Sequence, residues 1–150
     1  ACAKGPETHF QVATQGLLSG SLSSNAELAI IGSVHHGGSL WDLTSQERLF
    51  AWNHAQGSFS SIRATSISGN GKYAVTTVED SMVLWSTQSG KSKQFWQAPS
   101  RIISITLNSK GDRALMGMQD GSVSYFDMKL IVYNGELFKN FVERKNMDFS

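Results

Sequence analysis

Leu40-Trp41-Asp42-Leu43 is the stretch on which the reading of this chain turns, because its surroundings come back twice. Leu84-Trp85-Ser86-Thr87 follows 44 residues later, and Tyr125-Phe126-Asp127-Met128 a further 41 after that. Upstream of these aromatics stand Leu22, Ile67 and Leu107, at 19, 18 and 19 residues from Trp41, Trp85 and Phe126. A period of roughly 40–45 residues held this well marks one supersecondary unit used three times.

The chemistry inside each period is that of β-hairpins. Asn70-Gly71 and Lys110-Gly111 supply the positive-φ positions of a tight turn. Before the second of these, Ile103, Ile105 and Leu107 alternate with Ser104 and Thr106, the period of a half-buried strand. After the turns, 28–34, 73–78 and 114–118 are nearly continuous small and apolar runs, which suit strands covered on both faces. A second turn follows at Gly37-Gly38, Glu79-Asp80-Ser81 and Asp120-Gly121-Ser122. Trp52 and Trp96 each stand 11 residues past Trp41 and Trp85 and place a fourth strand. Four short antiparallel strands with an aromatic near the third make one blade of a β-propeller.

The chain resembles a run of WD repeats over about residues 8 to 129. Ser-Gly-Asn-Gly-Lys-Tyr-Ala (68–74) and Asp-Gly-Ser-Val-Ser-Tyr-Phe-Asp (120–127) carry the resemblance. It implies an all-β fold, a β-propeller segment of about three four-stranded blades. The family's Gly-His dipeptide is missing, and only Trp41-Asp42 is a literal Trp-Asp pair. His54 falls in the corresponding connection of one blade, but Asn53 precedes it and the stretch to Ile62 is long. The family's buried Asp-His-Ser-Trp hydrogen-bond network is therefore expected to be incomplete. A related propeller type with Trp-centred repeats and no such network is the alternative.

Around the blades, 1–7 read as a tail and 130–150 as a non-repeat segment. Phe10 precedes Leu22 by 12 residues, as Phe95 precedes Leu107, so 8–16 are expected to form the outer strand of an earlier or shared blade. At the other end, Leu130 to Tyr133 suit an extra strand. Leu137, Phe138, Phe141 and Val142 share one face of a short helix over 136–146. Three blades leave two sheet faces in water, expected to carry residues such as Ile30, Val75 and Met116. The chain is accordingly expected to be part of a longer one, to associate with another copy, or to fold its tail over one face.

Composition narrows the function. The chain has 13 basic and 12 acidic residues, so no global field favours nucleic acid or an anionic membrane. No apolar run reaches the roughly 18 residues of a membrane span. Cys2 is the only cysteine, which excludes an intrachain disulfide. It reads either as an exposed thiol or as the lipid anchor of a bacterial envelope lipoprotein whose signal peptide has been removed. Without the anchor, a cytoplasmic location is expected.

Candidate sites thin out on inspection. His35 and His36 are adjacent in a strand-like stretch and point to opposite faces, with no third ligand at spacing, so no metal is expected. Gly90-Lys91-Ser92 joins two strands rather than a strand and a helix, which rules out a phosphate-binding loop. No serine sits in a Gly-x-Ser-x-Gly elbow. The four tryptophans repeat with the blades and read as core rather than a stacking platform, Trp52 and Trp96 being the pair expected to be partly exposed. His36, Glu79, Asp80 and Asp120 remain, in equivalent turns of successive blades. They are the candidate partner-binding residues of a non-enzymatic protein-interaction scaffold without cofactor. The alternative is a propeller enzyme of hydrolase or lyase type that uses the same His and carboxylates for acid–base work.

Overall fold

The computed structural model describes residues 9–13, 16–54 and 61–128. Among them run eleven strands: β1 (Leu17–Leu22), β2 (Leu28–Ser33), β3 (Gly38–Asp42), β4 (Glu47–Trp52), β5 (Ala64–Ile67), β6 (Tyr73–Val78), β7 (Ser81–Ser86), β8 (Ser92–Gln97), β9 (Ile102–Leu107), β10 (Arg113–Met118) and β11 (Val123–Asp127). They form three antiparallel meanders, β1 to β4, β5 to β8 and β9 to β11. We call these blades 1, 2 and 3. Cys2, the 1–7 tail and the 130–150 segment lie outside the described residues. Residues 9–13 form no strand, but Phe10 lies against Trp41 with ring centroids 5.3 Å apart. The aromatic contact expected of an outer strand is made without the strand.

The first hairpin of each blade is held by local side chains. In blade 1, Ser23 Oγ donates to Asn25 Oδ1, which also accepts the Glu27 amide. Blade 2 repeats this with Ser68, Asn70 and Lys72. The left-handed position that follows is Gly71 (φ 75°) in blade 2, Gly111 (φ 76°) in blade 3 and Ala26 (φ 59°) in blade 1. Only a glycine adopts that conformation without a Cβ penalty. Ala26→Gly should therefore stabilise the protein by about 0.5–1 kcal/mol, seen as a higher urea midpoint at unchanged slope. Gly71→Ala, where a Cβ meets nothing closer than 3.4 Å, should do the reverse.

The blades stack face to face. Ile30, Leu40 and Trp52 of blade 1 share a core with Ile67, Ala74, Val83 and Trp85 of blade 2. Val75, Met82 and Leu84 from the other face of blade 2 meet Ile105, Leu107, Ala114 and Met116 of blade 3. Every residue of β5 is buried, whereas β9 buries Ile102, Ile105 and Leu107 and exposes Ile103, Ser104 and Thr106. The pleat is the same in both; only the middle blade has a neighbour on each side. This corrects the residues expected on the open faces, since Ile30, Val75 and Met116 are fully buried between blades. Among the described residues the exposed large apolar side chains are Leu17, Leu18, Leu22 and Leu49 of blade 1 and Ile103, Leu115, Val123 and Tyr125 of blade 3.

Aromatics lock the stack. Trp52 lies parallel to Trp85 at 5.0 Å and donates to Gly90 O at 3.0 Å. Trp96 meets Phe126 edge-on at 4.3 Å. Trp52, expected to be partly exposed, is thus buried, while Trp41 is partly exposed. Each outer-strand tryptophan packs on the aromatic of the following blade, and Phe10 on Trp41 continues the series. The innermost strands β1, β5 and β9 lie side by side. Ser21 Oγ accepts the Ile67 amide at 3.1 Å and Ser66 Oγ accepts the Leu107 amide at 3.0 Å, so the same bond joins both pairs of blades.

Candidate functional site

The β2–β3, β6–β7 and β10–β11 turns project from one end of the stacked blades, and each is braced by a serine. Ser33 Oγ accepts the His36 amide at 2.9 Å and donates to Gly37 O at 3.0 Å. Ser81 Oγ donates to Val78 O at 2.8 Å. The Ser122 amide donates to the Asp120 carboxylate at 2.9 Å. The Ser122 hydroxyl and, after it, that amide bond hold the Asp120 carboxyl below its ordinary pKa, a charged turn cap.

The turn backbones are tied to the next connection. Ser33 O accepts the Ile62 amide at 3.0 Å, Glu79 O the Ile102 amide at 2.8 Å and Asp80 O the Ala98 amide at 2.7 Å. With the main chain committed, the side chains of His35, His36, Glu79 and Asp120 stay exposed and that of Asp80 is partly buried. Glu79 takes a left-handed φ of 53°, a strained setting for a residue with a Cβ. The rim thus carries carboxylates from two blades and the histidine pair from the third, on a braced frame. Among the described residues, no group of three or more His, Cys, Asp or Glu could hold a metal ion.

Beneath the rim of blade 2 runs a relay of hydrogen bonds. Trp85 Nε1 donates to Thr76 Oγ1 at 2.9 Å, Thr76 Oγ1 meets His54 Nε2 at 2.8 Å, and His54 Nδ1 meets Ser81 Oγ at 2.8 Å. Because the Ser81 hydroxyl proton goes to Val78 O, its oxygen accepts from Nδ1–H of His54. Nε2 then accepts from the Thr76 hydroxyl, and every link donates in a consistent direction. Burial lowers the His54 pKa to about 4 against a smaller opposing effect of a hydrogen bond to the Thr76 backbone, so the ring is neutral at pH 7. Ser81 stands where the family network expected from the sequence would have its acid.

Among the described residues the relay is seen in blade 2. Cross-strand pairing places Ala29, Ala74 and Ala114 opposite Trp41, Trp85 and Phe126. Two residues on come Ile31, Thr76 and Met116, of which only Thr76 has a hydroxyl. Trp41 Nε1 instead donates to Ser39 at 2.7 Å, and Phe126 has nothing to donate. In blade 2 the chain of bonds runs continuously from Trp85 through Thr76 and His54 to Ser81. His54 was legible from its connection. Thr76 and Ser81 were not singled out, though the lone hydroxyl in that β-strand series was the available signal.

No family model matches the chain, and no curated protein matches it. Solved structures do. The WD40 repeats of RRP9 are similar with a TM-score of 0.71 and 13% identity, over 81% of this chain and 38% of that one. U3-55K gives the same values. The β-propeller domain of Cps50 (Swd1) from Myceliophteria thermophila gives 0.66 and 16%, over 78% and 37%. The chain thus spans well under half the length of these propellers. At such identities the likeness carries the fold alone: the three sheets are WD40 propeller-like blades.

Proposed function

We propose that the protein is a non-enzymatic interaction module that offers the rim formed by the β2–β3, β6–β7 and β10–β11 turns to a protein partner. The observation that carries this reading is the braced rim itself. The carbonyls of Ser33, Glu79 and Asp80 are bonded into the frame, and His36, Glu79 and Asp120 are left exposed on a surface that need not reorganise on binding. Glu79, Asp80 and Asp120 share the rim with the exposed Arg63 and Arg101 of the neighbouring connections, so docking there is charge-paired and weakens with salt. Acid–base chemistry has less support there, because Asp120 is engaged as a turn cap. The test compares Glu79→Lys/Asp120→Lys with Lys72→Glu/Lys110→Glu, which changes the first hairpins instead. In capture from extract of the native host, the second variant should retain the partner and the first should lose it. Equal recovery by both would refute the rim as the docking surface.

A further inference from the structure

The first hairpin of blade 2 can undergo a chemical step that its counterparts in blades 1 and 3 are not built for. In register the three turns read Asn25-Ala26, Asn70-Gly71 and Lys110-Gly111, so only blade 2 sets a carboxamide directly before a glycine. Asparagine is chemically labile, and most so before glycine, which has no Cβ to keep the following amide from the side chain. The Gly71 nitrogen attacks Asn70 Cγ and closes a five-membered imide. The bond from Cγ to Nδ2 breaks, and Nδ2 takes up the Gly71 amide proton and leaves as ammonia. Water then opens the imide at either carbonyl and gives aspartate or isoaspartate. Water is the only co-reactant, nothing is oxidised or reduced, and Asn70 is exposed to the solvent that supplies it.

In the folded protein every group in that step is held. The Gly71 amide donates to Ser68 O at 2.9 Å. Asn70 Oδ1 accepts from Ser68 Oγ at 2.7 Å and from the Lys72 amide at 3.0 Å. Asn70 Nδ2 donates to Lys110 O at 3.4 Å and the Asn70 amide to Ser109 O at 2.8 Å, both in blade 3. On the other side the Ser24 amide of blade 1 donates to Gly69 O at 2.9 Å. A Cβ on Gly69 would fall 2.6 Å from Ser24 Oγ and 2.9 Å from Ser109 Oγ, so the turn is seated closely between its neighbours. The nucleophile is committed as a donor, and the carboxamide cannot turn towards it without giving up these bonds.

We propose that Asn70 is a gated modification site, stable while the blade 2 hairpin sits between its neighbours and converted to aspartate or isoaspartate when that hairpin opens. The products do not restore the starting contacts. An aspartate keeps the acceptor bonds to Ser68 and Lys72 but has no proton for Lys110 O, and it sets a carboxylate against that carbonyl. Isoaspartate routes the main chain through Cγ, adds a methylene before Gly71 and takes that residue, at φ 75°, out of register. Each product therefore loosens the contact between blades 2 and 3 whose opening allowed it to form.

The experiment follows Asn70 in the full chain, incubated at mildly alkaline pH, by tryptic mapping that separates the asparagine, aspartate and isoaspartate forms. Cleavage after Arg63 and Lys72 isolates 64–72, and the sequence's other Asn-Gly pair, Asn134-Gly135, falls in a separate peptide, 130–139. Synthetic 64–72 supplies the ungated rate. Asn70 in the folded chain should convert at least about tenfold more slowly than in that peptide, as a reaction does that waits on local opening. Ser68→Ala, which removes a bond to Oδ1 and touches none of the reacting atoms, should speed conversion. Urea held below the unfolding transition should do the same to the wild type, and tests the gate without a substitution. Gly71→Ala should slow conversion although it weakens the turn, which separates the chemistry from the opening. Conversion of the folded wild type at the peptide's rate would overturn the gate, as would a rate that neither Ser68→Ala nor urea changes. A peptide that stays intact, or faster conversion in Gly71→Ala, would overturn the site itself.

Discussion

Trp85→Ala is expected to lower stability by about 3–5 kcal/mol, read from the denaturant midpoint at unchanged slope. The residue joins two blades and two kinds of interaction. Its ring is buried and stacked on Trp52 across the interface between blades 1 and 2, in contact with the core of Ile30, Leu40, Ile67, Ala74 and Val83. Its Nε1–H feeds the relay that ends at Ser81. Alanine would empty the site and leave the Thr76 oxygen short of a donor. Trp85→Phe separates the contributions, since it keeps most of the stacking area and removes only the donor. It should cost about 1–2 kcal/mol, the magnitude of one buried hydrogen bond lost. A loss below about 1 kcal/mol for Trp85→Ala would mean that the interface between these blades does not hold the fold together.

Acidification should cost nearly as much through a single residue. His54 has its pKa lowered to about 4 by burial in the folded protein, against 6.5 for an ordinary histidine. Between those values the unfolded chain binds the proton and the folded chain does not, so stability rises with pH across the window. The contribution is fully present above pH 6.5 and is lost as pH falls from 6.5 towards 4, about 3 kcal/mol in all. The structural reason is directional. A second ring proton would sit on Nε2, where the ring now accepts from the Thr76 hydroxyl. His54→Gln should be less stable at pH 7 and show a flatter profile between pH 6.5 and 4. An unchanged slope in that variant would move the acid sensitivity elsewhere.

These two predictions rest on features of different legibility. Trp85 announced itself as core by its place in the repeat. The relay could be anticipated only as far as His54, because its members are 22 and 27 residues apart from it in sequence. The rim candidates fall between the two. Their equivalence between blades was visible in the spacing of the turns, but the bracing by Ser33, Ser81 and the connections at Ile62, Ala98 and Ile102 was not.

What the sequence by itself determined is the part governed by short-range rules. The three-fold repeat, the strand order and the positive-φ turns at Gly71 and Gly111 follow from apolar alternation and turn chemistry, which act within a few residues. What only the tertiary structure decided is which face of each sheet has a neighbour. Alternation fixes that Val75 and Leu115 lie on corresponding faces, but not that one is buried against blade 3 and the other open to water. For the same reason Trp52, with blade 2 beyond it, is buried and Trp41 is not. A pleated strand presents two faces on equal terms, and burial is settled by the packing of whole sheets, which residue spacing within one sheet does not encode.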